Sequence, residues 1–250
     1  MSAGAGVGDG RAVLVTGGTR GIGLAIVRRL AAAGWRVAAS YRGDAAAGAR
    51  LAEALARAGV EHAVLQADVT EPDAVRRLVA DVVARFGCLD ALVNNAGIVD
   101  DAPFVTLPRE RCANVLRTNL LGAIRTTGAA LPHLLKSARP AVVNVASLGG
   151  VVGKEGQVAY AASKGGLIGF TQWLARRYAD AGLAANAVAP GFIDTDMIAS
   201  LTPAMTAHIV GGSAAKRVGR ADEVARAVQF LLEPGYVHGT TLRVDGGFNR

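Results

Sequence analysis

The chain has 250 residues, of which 51% are hydrophobic and 19% are charged, and its formal net charge is +7. Two cysteines form no disulfide framework, and four scattered histidines show no ligand spacing, so we expect no metal site. No apolar run reaches the roughly 18 residues of a transmembrane helix, and the basic residues form no block typical of nucleic-acid binding. These features predict a cytoplasmic protein that binds neither membranes nor nucleic acid.

Short β-rich runs alternate with helical runs along the whole chain. Strands are predicted near Ala12, Val37, Ala63, Leu89, Val142, Ala185 and Leu242. Helices are predicted over residues 45–58, 73–86, 109–135, 160–181 and 222–232. The alternation predicts an α/β fold of the doubly wound Rossmann type, with a seven-stranded parallel sheet and helices on both faces. No linker divides the chain, so we expect one domain over residues 11–250 after a flexible tail at residues 1–10.

A glycine-rich turn lies near the start of this domain. The run TGGTRGIG follows an apolar strand-like segment and precedes an apolar-periodic segment that ends at Gly34. Gly17, Gly21 and Gly23 would allow a tight turn and a close approach of the backbone to a pyrophosphate. A lone glycine motif is weak evidence, but the order of strand, turn and helix favours a dinucleotide site.

The end of the predicted second strand indicates which dinucleotide binds. An NAD site usually places an acidic residue there, against the ribose. This chain has Tyr41 and Arg42 at that point, with no carboxylate before Asp44, and Arg20 lies within the glycine turn. Two arginines without an acid favour the extra phosphate of NADP(H). The alternative is that both arginines are ordinary surface residues.

A serine, a tyrosine and a lysine in the run SLGGVVGKEGQVAYAASK carry the catalytic prediction. Tyr160 and Lys164 are four residues apart, so they share one face if this segment is helical. We expect the ammonium of Lys164 to lower the pKa of the Tyr160 phenol, which would exchange a proton with a carbonyl or alcohol. Ser147 would hydrogen-bond the same substrate oxygen. Taken alone, a tyrosine–lysine pair is more often a solvated surface pair.

In their order along the chain, the motifs resemble those of the short-chain dehydrogenase/reductase family. The chain looks most like β-ketoacyl-[acyl-carrier-protein] reductases and polyketide ketoreductases. The resemblance covers residues from about Arg11 to the C-terminus. Its motifs are TGGTRGIG at Thr16, ADV at Ala67, NNAG at Asn94, Asn119, Ser147, YAASK at Tyr160, NAVAPGFIDTDM at Asn186 and VDGG at Val244.

The resemblance implies roles for individual residues. The catalytic residues would be Asn119, Ser147, Tyr160 and Lys164, with Asn119 holding a water in a kink of its helix. With the glycine turn and the second strand, the expected cofactor contacts are Gly17, Thr19, Arg20, Gly21, Ile22, Gly23, Tyr41, Arg42, Asp68, Val69, Asn95, Ala96, Gly97, Tyr160, Lys164, Pro190, Gly191, Ile193 and Thr195. The alternatives are that Asn119 bonds its own backbone, that Asp68 is a turn residue, and that Asn94 and Asn95 form turns.

The activity that the resemblance implies is NADPH-dependent reduction of a β-ketoacyl thioester, bound to acyl carrier protein or coenzyme A, in fatty-acid or polyketide synthesis. Alternatives are an alcohol, steroid or sugar dehydrogenase of the same family, or a non-catalytic dinucleotide-binding regulator. A lid at about residues 191–217 would select the substrate. An acyl carrier protein is a possible partner, but Asp180 and Ala181 occupy positions where relatives often carry arginine, so other basic residues would have to substitute. The candidates are Lys136, Arg139, Arg176 and Arg177.

The helices that begin at Arg109 and Tyr160 are apolar over more than one face. Phe170 and Trp173 belong to the second of them. A helix that packs on a sheet with one side leaves the other side to bury elsewhere. We therefore expect a subunit interface, and the resemblance suggests a homotetramer; burial within one chain is the alternative.

Overall fold

The computed structural model describes residues 10–195, 202–233 and 235–248. Nearly all of the predicted tail at residues 1–10 lies outside these ranges, as do residues 196–201 of the predicted lid.

A seven-stranded parallel sheet forms the centre of the fold. In chain order the strands are β1 (Ala12–Val15), β2 (Arg36–Tyr41), β3 (His62–Gln66), β4 (Ala91–Asn94), β5 (Ala141–Val145), β6 (Ala184–Pro190), β7 (Ile193–Asp194), β8 (Gly219–Arg220) and β9 (Thr241–Val244). The main sheet has the order β3-β2-β1-β4-β5-β6-β9, while β7 and β8 pair separately. The predicted seven-stranded parallel sheet is thereby confirmed, and the small β7–β8 pair was not predicted.

Helices connect the strands and cover both faces of the sheet, as predicted. They are α1 (Gly21–Ala32), α2 (Ala45–Arg57), α3 (Pro72–Phe86), α4 (Arg109–Leu116), α5 (Gly122–Leu134), α6 (Leu148–Val152), α7 (Val158–Arg177), α8 (Pro203–Gly212) and α9 (Ala221–Leu232). The predicted run over 109–135 is divided by a π-helical turn at Arg117–Leu121. The five-residue α6 was not predicted, because two glycines in so short a segment give little helical signal.

Two apolar layers hold the helices against the sheet. One layer joins α1, α2 and α9 through side chains such as Ile26, Leu51 and Val228. The opposite layer joins α3, α5 and α7 through side chains such as Leu78 and Leu174. Full burial of each such side chain contributes about 1.5–3 kcal/mol, so the two layers hold the apolar side of each helix against the sheet.

The chain order of the sheet reverses between β1 and β4. In open parallel sheets, ligands bind at the carboxyl ends of the strands near such a point. We call this side of the sheet the carboxyl edge. The glycine turn follows β1, NNAG includes the end of β4, and Ser147 lies two residues beyond the end of β5. The fold therefore gathers segments distant in sequence at one edge. Among the described residues, no helix has the length and apolarity needed to span a membrane.

Candidate functional site

The glycine turn is packed so tightly that it excludes side chains. Gly17 has φ +65°, in the left-handed region that favours glycine. A Cβ on Gly23 would overlap the carbonyl oxygen of Gly17. The side-chain amide of Asn95 closes the turn, since its Nδ2 donates to the carbonyls of Thr16 at 2.9 Å and Gly17 at 3.0 Å. The turn therefore has no room for a side chain at Gly23.

The N-terminus of α1 opens onto this turn. Its N-cap is Arg20, whose side chain makes no capping hydrogen bond, and no acidic residue lies in the first turn. The first-turn amides, which belong to Gly21, Ile22 and Gly23, therefore face the turn without a side-chain acceptor. Together with the positive end of the helix dipole they suit an anion such as a pyrophosphate. Thr19 is buried beside them, at 8% exposure.

Arg20 and Arg42 lie on adjacent segments. The amide of Gly18 donates to the carbonyl of Ser40 at 2.9 Å, which holds the glycine turn against the end of β2. Both arginine side chains are exposed, and none of the ion pairs among the described residues includes either one. Asp44 accepts from the amide of Ala47 at 2.8 Å and thereby caps α2. This region therefore offers free positive charge, and its nearest carboxylate is engaged in the cap.

The ends of β3 and β4 complete this half of the site. Thr16 Oγ1 accepts from the amides of Asn95 and Ala96, each at 3.0 Å, so the residues after β4 are tied to β1. Asp68 Oδ1 accepts from the amide of Thr70 at 2.8 Å, which is the turn role proposed as its alternative. Val69 is buried at 6% exposure and packs against α5.

Asn119 lies in the π-helical turn, so the expected interruption of its helix is present. It is 1% exposed. Its Oδ1 accepts from the amide of Ile98 at 2.8 Å, and its Nδ2 donates to the carbonyl of Ile98 at 2.9 Å and to Ser163 Oγ at 3.1 Å. The side chain therefore bonds across to the β4 loop and to α7, rather than to its own helix as the alternative required.

Ser147 and Tyr160 come together on one side of the cleft. Ser147 is the N-cap of α6, and its Oγ accepts from the amide of Gly149 at 3.1 Å. A Cβ on Gly149 would lie 3.5 Å from Ser147 Oγ and 3.9 Å from Tyr160 Cδ1. The short α6 turns the serine hydroxyl toward the tyrosine, and both side chains remain partly accessible.

Lys164 lies beneath this pair, one helical turn after Tyr160 in α7. It is 4% exposed, and its Nζ donates to the carbonyl of Val145 at 2.7 Å. The Nζ atom lies 5.7 Å from the centre of the Tyr160 ring. Burial lowers the pKa of Lys164 to about 8. The ammonium is therefore directed between the end of β5 and the tyrosine, as the spacing predicted.

The pKa of Tyr160 is raised, which is opposite to the expected direction. Burial of the phenol is the largest cause, the charge of Asp101 adds to it, and a hydrogen bond from Ser147 opposes it. Lys164 is not among the causes. The expectation that Lys164 lowers this pKa is wrong for the protein alone, because desolvation of the phenol is the largest influence on it.

The segment after β6 forms the facing side of the cleft. Pro190 ends β6, and a Cβ on Gly191 would lie 2.8 Å from Asp245 Cα, so the VDGG segment packs directly on it. Ile193 is buried in β7 at 5% exposure. Thr195 Cγ2 lies 3.6 Å from the position of a Cβ on Gly21, which places it beside the glycine turn. Of the predicted cofactor residues after β6, Thr195 therefore lies beside the glycine turn, and Gly191 packs on the VDGG segment.

A buried network of amides and hydroxyls was missed by the sequence analysis. Asn94 Nδ2 donates to Thr127 Oγ1 at 2.9 Å and to Asn144 Oδ1 at 2.8 Å, and Asn144 Nδ2 donates to Thr171 Oγ1 at 2.8 Å. These contacts link α5 to α7 through the two central strands. Asn94 is 3% exposed within β4, so its interpretation as a turn residue is wrong.

A contact between two loops was also missed. Gln157 Nε2 donates to Asp101 Oδ2 at 2.7 Å, across 56 residues of sequence. The sequence gives one signal for Gln157, its position three residues before Tyr160, but nothing in the sequence indicates that Asp101 is its partner.

In the described part of the chain, no group of three or more His, Cys, Asp or Glu side chains is arranged to hold a metal ion.

The basic residues proposed for carrier docking lie far from this cleft within one chain. Arg139 precedes β5, and its carbonyl accepts from Arg11 Nη2 at 2.6 Å, at the amino end of β1. Lys136 lies in the same connection, and Arg176 and Arg177 end α7 before β6. All four are therefore at the edge of the sheet opposite the carboxyl edge.

Known proteins match this chain over nearly its whole length. A family model described as enoyl-(acyl carrier protein) reductase matches residues 17–249. The chain is 37% identical over 239 residues to the 3-oxoacyl-[acyl-carrier-protein] reductase FabG of Staphylococcus aureus, a match that covers 95% of this chain and 97% of the relative. It is 41% identical over 239 residues to the 3-oxoacyl-[acyl-carrier-protein] reductase MabA of Mycobacterium avium, covering 95% and 89% of the two chains.

Among solved structures, the crystal structure of gox2181 superposes with a TM-score of 0.91 at 32% sequence identity. The superposition covers 96% of this chain and 95% of that one. The similarity therefore extends over the whole sheet and its helices rather than over the dinucleotide half alone.

Proposed function

The chain belongs to the short-chain dehydrogenase/reductase family and is an oxidoreductase, and from that premise we propose that it reduces the keto group of a β-ketoacyl thioester with NADPH. One observation carries the proposal. The hydroxyl of Ser147 and the phenol of Tyr160 converge on one side of the carboxyl edge, above the buried ammonium of Lys164. Two hydroxyl groups at one point suit a single substrate oxygen that gains negative charge.

Tyr160 is the proton donor in this reaction. The phenol is protonated at neutral pH, and because burial raises the pKa of Tyr160, release of its proton to the substrate oxygen depends on the nearby ammonium of Lys164. Ser147 donates a second hydrogen bond to that oxygen. After the proton has moved, the ammonium of Lys164 stabilises the phenolate by charge attraction. Asn119 holds the loop after β4 against α7, and we propose that it also orders the water that returns the proton.

NADP(H) fits the opposite half of the site. The glycine turn admits no Cβ at Gly23, and α1 begins without a side-chain cap, so the pyrophosphate would lie on the first-turn amides. Arg20 and Arg42 would hold the ribose phosphate. Asp68 and Val69 would flank the adenine, and the segment from Pro190 to Thr195 would cover the nicotinamide. When bound, the cofactor supplies the hydride that reduces the keto carbon.

The names of the matched proteins refer to two different bonds. The family model is described by enoyl reduction, and the relatives by 3-oxoacyl reduction. We favour the keto group, because the Ser147 and Tyr160 hydroxyls are both suited to an oxygen on the carbon that accepts hydride, whereas the C=C bond of an enoyl thioester has no oxygen on that carbon. We further propose a role in fatty-acid or polyketide synthesis and a cytoplasmic location.

Two proposals concern partners. Exposed apolar side chains on α7 and beside the π-helical turn, namely Trp173 at 54%, Leu121 at 42% and Ile124 at 37% exposure, suit a subunit interface, and we propose a homotetramer. Docking of an acyl carrier protein on the four basic residues requires a second subunit that brings its cleft near them, because they lie at the edge of the sheet opposite the cleft of their own chain. These residues are Lys136, Arg139, Arg176 and Arg177.

The test is the reduction of acetoacetyl-coenzyme A by the Tyr160→Phe variant, with the rate of NADPH consumption as the measured quantity. We expect kcat to fall by about a hundredfold or more, because the proton donor is lost while the ring is kept. Tyr178→Phe is the matched control, since Tyr178 follows α7 away from the cleft, and it should keep the activity of the original protein. Crotonyl-coenzyme A, which presents a C=C bond, is the second substrate.

Normal turnover of acetoacetyl-coenzyme A by Tyr160→Phe would refute the role of the phenol. Faster turnover of crotonyl-coenzyme A than of acetoacetyl-coenzyme A by the original protein would refute the choice of the keto group. No consumption of NADPH with either thioester would leave the dehydrogenases of the same family as the better assignment.

A further inference from the structure

The loop after β4 and the loop before α7 meet at the mouth of the cleft. Gln157 Nε2 donates to Asp101 Oδ2 at 2.7 Å, and the amide of Ala102 donates to the carbonyl of Gly156 at 3.0 Å. One side-chain and one backbone hydrogen bond therefore fix the two loops together. The carboxylate of Asp101 is held in place on an otherwise exposed loop.

This contact lies next to the reacting groups. A Cβ on Gly149 would lie 3.7 Å from Gln157 Oε1, as well as 3.5 Å from Ser147 Oγ and 3.9 Å from Tyr160 Cδ1. The amide of Gln157 therefore borders the same small space as the serine and the tyrosine. Because the amide nitrogen of Gln157 donates a hydrogen bond to Asp101, this amide lies between the Asp101 carboxylate and the cleft.

Among the described residues the carboxylate of Asp101 is not paired with a cationic side chain, although Arg111 Nη2 donates to the backbone carbonyl of Asp101 at 3.4 Å. Arg111 directs its guanidinium at the carboxylate of Asp100, with its Nε at 2.9 Å and 3.0 Å from the two oxygens. Lys154 Nζ lies over the Phe192 ring, 5.0 Å from its centre. No ion pair among residues 10–195, 202–233 and 235–248 includes Asp101. After burial, which is the main cause, the charge of Asp101 adds to the raised pKa of Tyr160.

We propose that Asp101 is a specificity-determining residue, whose carboxylate makes the cleft accept neutral β-keto esters and thioesters and disfavour free β-keto acids. The inference rests on the proposed reduction of a β-keto group. In this proposal the keto oxygen lies between Ser147 and Tyr160, and the substituent two carbons away points toward Gln157, whose Oε1 borders the same space. A thioester carbonyl there is neutral, whereas the carboxylate of a free acid meets the like charge of Asp101.

Gln157 is the positioning residue in this arrangement. It directs the carboxylate by its hydrogen bond and keeps it from turning fully into solvent. A carboxylate that is fixed in one place repels an anionic substrate more consistently than one on a freely rotating side chain. Selection by charge also leaves the length of the acyl chain to the lid.

The experiment compares ethyl acetoacetate with acetoacetate, which share the keto group and differ in charge. The measured quantity is the ratio of kcat/KM for the ester to kcat/KM for the acid, with NADPH. In Asp101→Asn we expect the ratio to fall about three- to tenfold, mainly through better use of the acid. Glu155→Gln removes an exposed carboxylate from the loop before α7, and it should leave the ratio of the original protein.

Two further measurements separate charge from shape. Asp101→Glu keeps the charge and should keep the ratio within about twofold, since the added methylene leaves the repulsion between this carboxylate and an anionic substrate nearly the same. Raising the ionic strength should lower the ratio of the original protein but not that of Asp101→Asn, because salt screens exposed charges.

An unchanged ratio in Asp101→Asn, with the ester still reduced, would overturn the charge selection and leave the proposed function standing. An equal fall in Glu155→Gln would also overturn it, because the effect would then belong to any carboxylate on these loops. Failure of the original protein to reduce the ester and acetoacetyl-coenzyme A alike would overturn the proposed function and this inference with it.

Discussion

The two halves of the carboxyl edge are built in different ways. The catalytic wall, which comprises Asn119, Ser147, Tyr160 and Lys164, is partly or fully buried and cross-linked to neighbouring elements. The cofactor rim, which comprises Arg20 and Arg42, is exposed and carries its charge on long side chains. Buried groups have shifted pKa values and strict geometry, whereas exposed charges act through solvent and are partly screened. Substitutions in the wall should therefore have larger effects than substitutions in the rim.

The largest expected effect is that of Lys164→Met. Loss of the ammonium should lower kcat for keto reduction by about a hundredfold or more, since a charge that stabilises the phenolate is gone. The same change should increase stability, because the pKa of Lys164 is lowered to about 8 from 10.5 and burial of the charge costs up to about 3 kcal/mol. Thermal unfolding at pH 7 and steady-state kinetics measure the two effects.

The pH dependence of that stability gain gives a sharper test. Between pH 8 and 10.5 the unfolded chain binds more protons at this lysine than the folded chain, so the cost of the buried charge falls as the pH rises. The gain from Lys164→Met should therefore be fully present below pH 8 and disappear near pH 10.5. Lys154→Met, at an exposed lysine, should change the free energy of unfolding by less than about 0.5 kcal/mol at any pH. A gain independent of pH would show that packing alone is responsible.

Gly149 and Gly150 are adjacent residues of α6, beside the catalytic wall, but they differ in how closely they are packed. A Cβ on Gly150 would lie 2.6 Å from the backbone carbon of Lys164, so Gly150→Ala must separate α6 from α7 and should cost about 2 to 3 kcal/mol of unfolding free energy. A Cβ on Gly149 meets only ordinary contacts, at 3.5 Å or more. Gly149→Ala should therefore fold normally and raise KM for the thioester by narrowing the cleft. Equal stability of the two variants would contradict this packing.

The smallest expected effect is at the cofactor rim. Replacing both Arg20 and Arg42 by alanine should raise KM for NADPH about tenfold and leave KM for NADH nearly unchanged, because charge-assisted hydrogen bonds to the extra phosphate are lost. Arg28→Ala, which removes an exposed charge further along α1, should change neither value appreciably. Equal increases for both cofactors would argue that the arginines bind a part common to both.

Much of the site could be predicted from sequence, because its geometry is local or follows from strand ends. Tyr160 and Lys164 share a helix face through their spacing, and the glycine turn follows from strand, turn and helix in order. The direction in which the pKa of Tyr160 shifts could not be predicted from sequence, since desolvation depends on how α6 and the neighbouring loops cover the ring. The Asp101–Gln157 bond could not either, because it joins two irregular loops whose paths have no periodic signal.

The hydrogen bonds from Asn95 to Thr16 and Gly17 have a consequence for folding. They join segments 79 and 78 residues apart, across the β1–β4 pair at the centre of the sheet. The turn that would take the pyrophosphate is closed only after this pair has formed, which requires a long loop to close first. Dinucleotide binding would then follow assembly of the central sheet, and a ligand that binds only the finished turn would draw partly folded chains toward the native state.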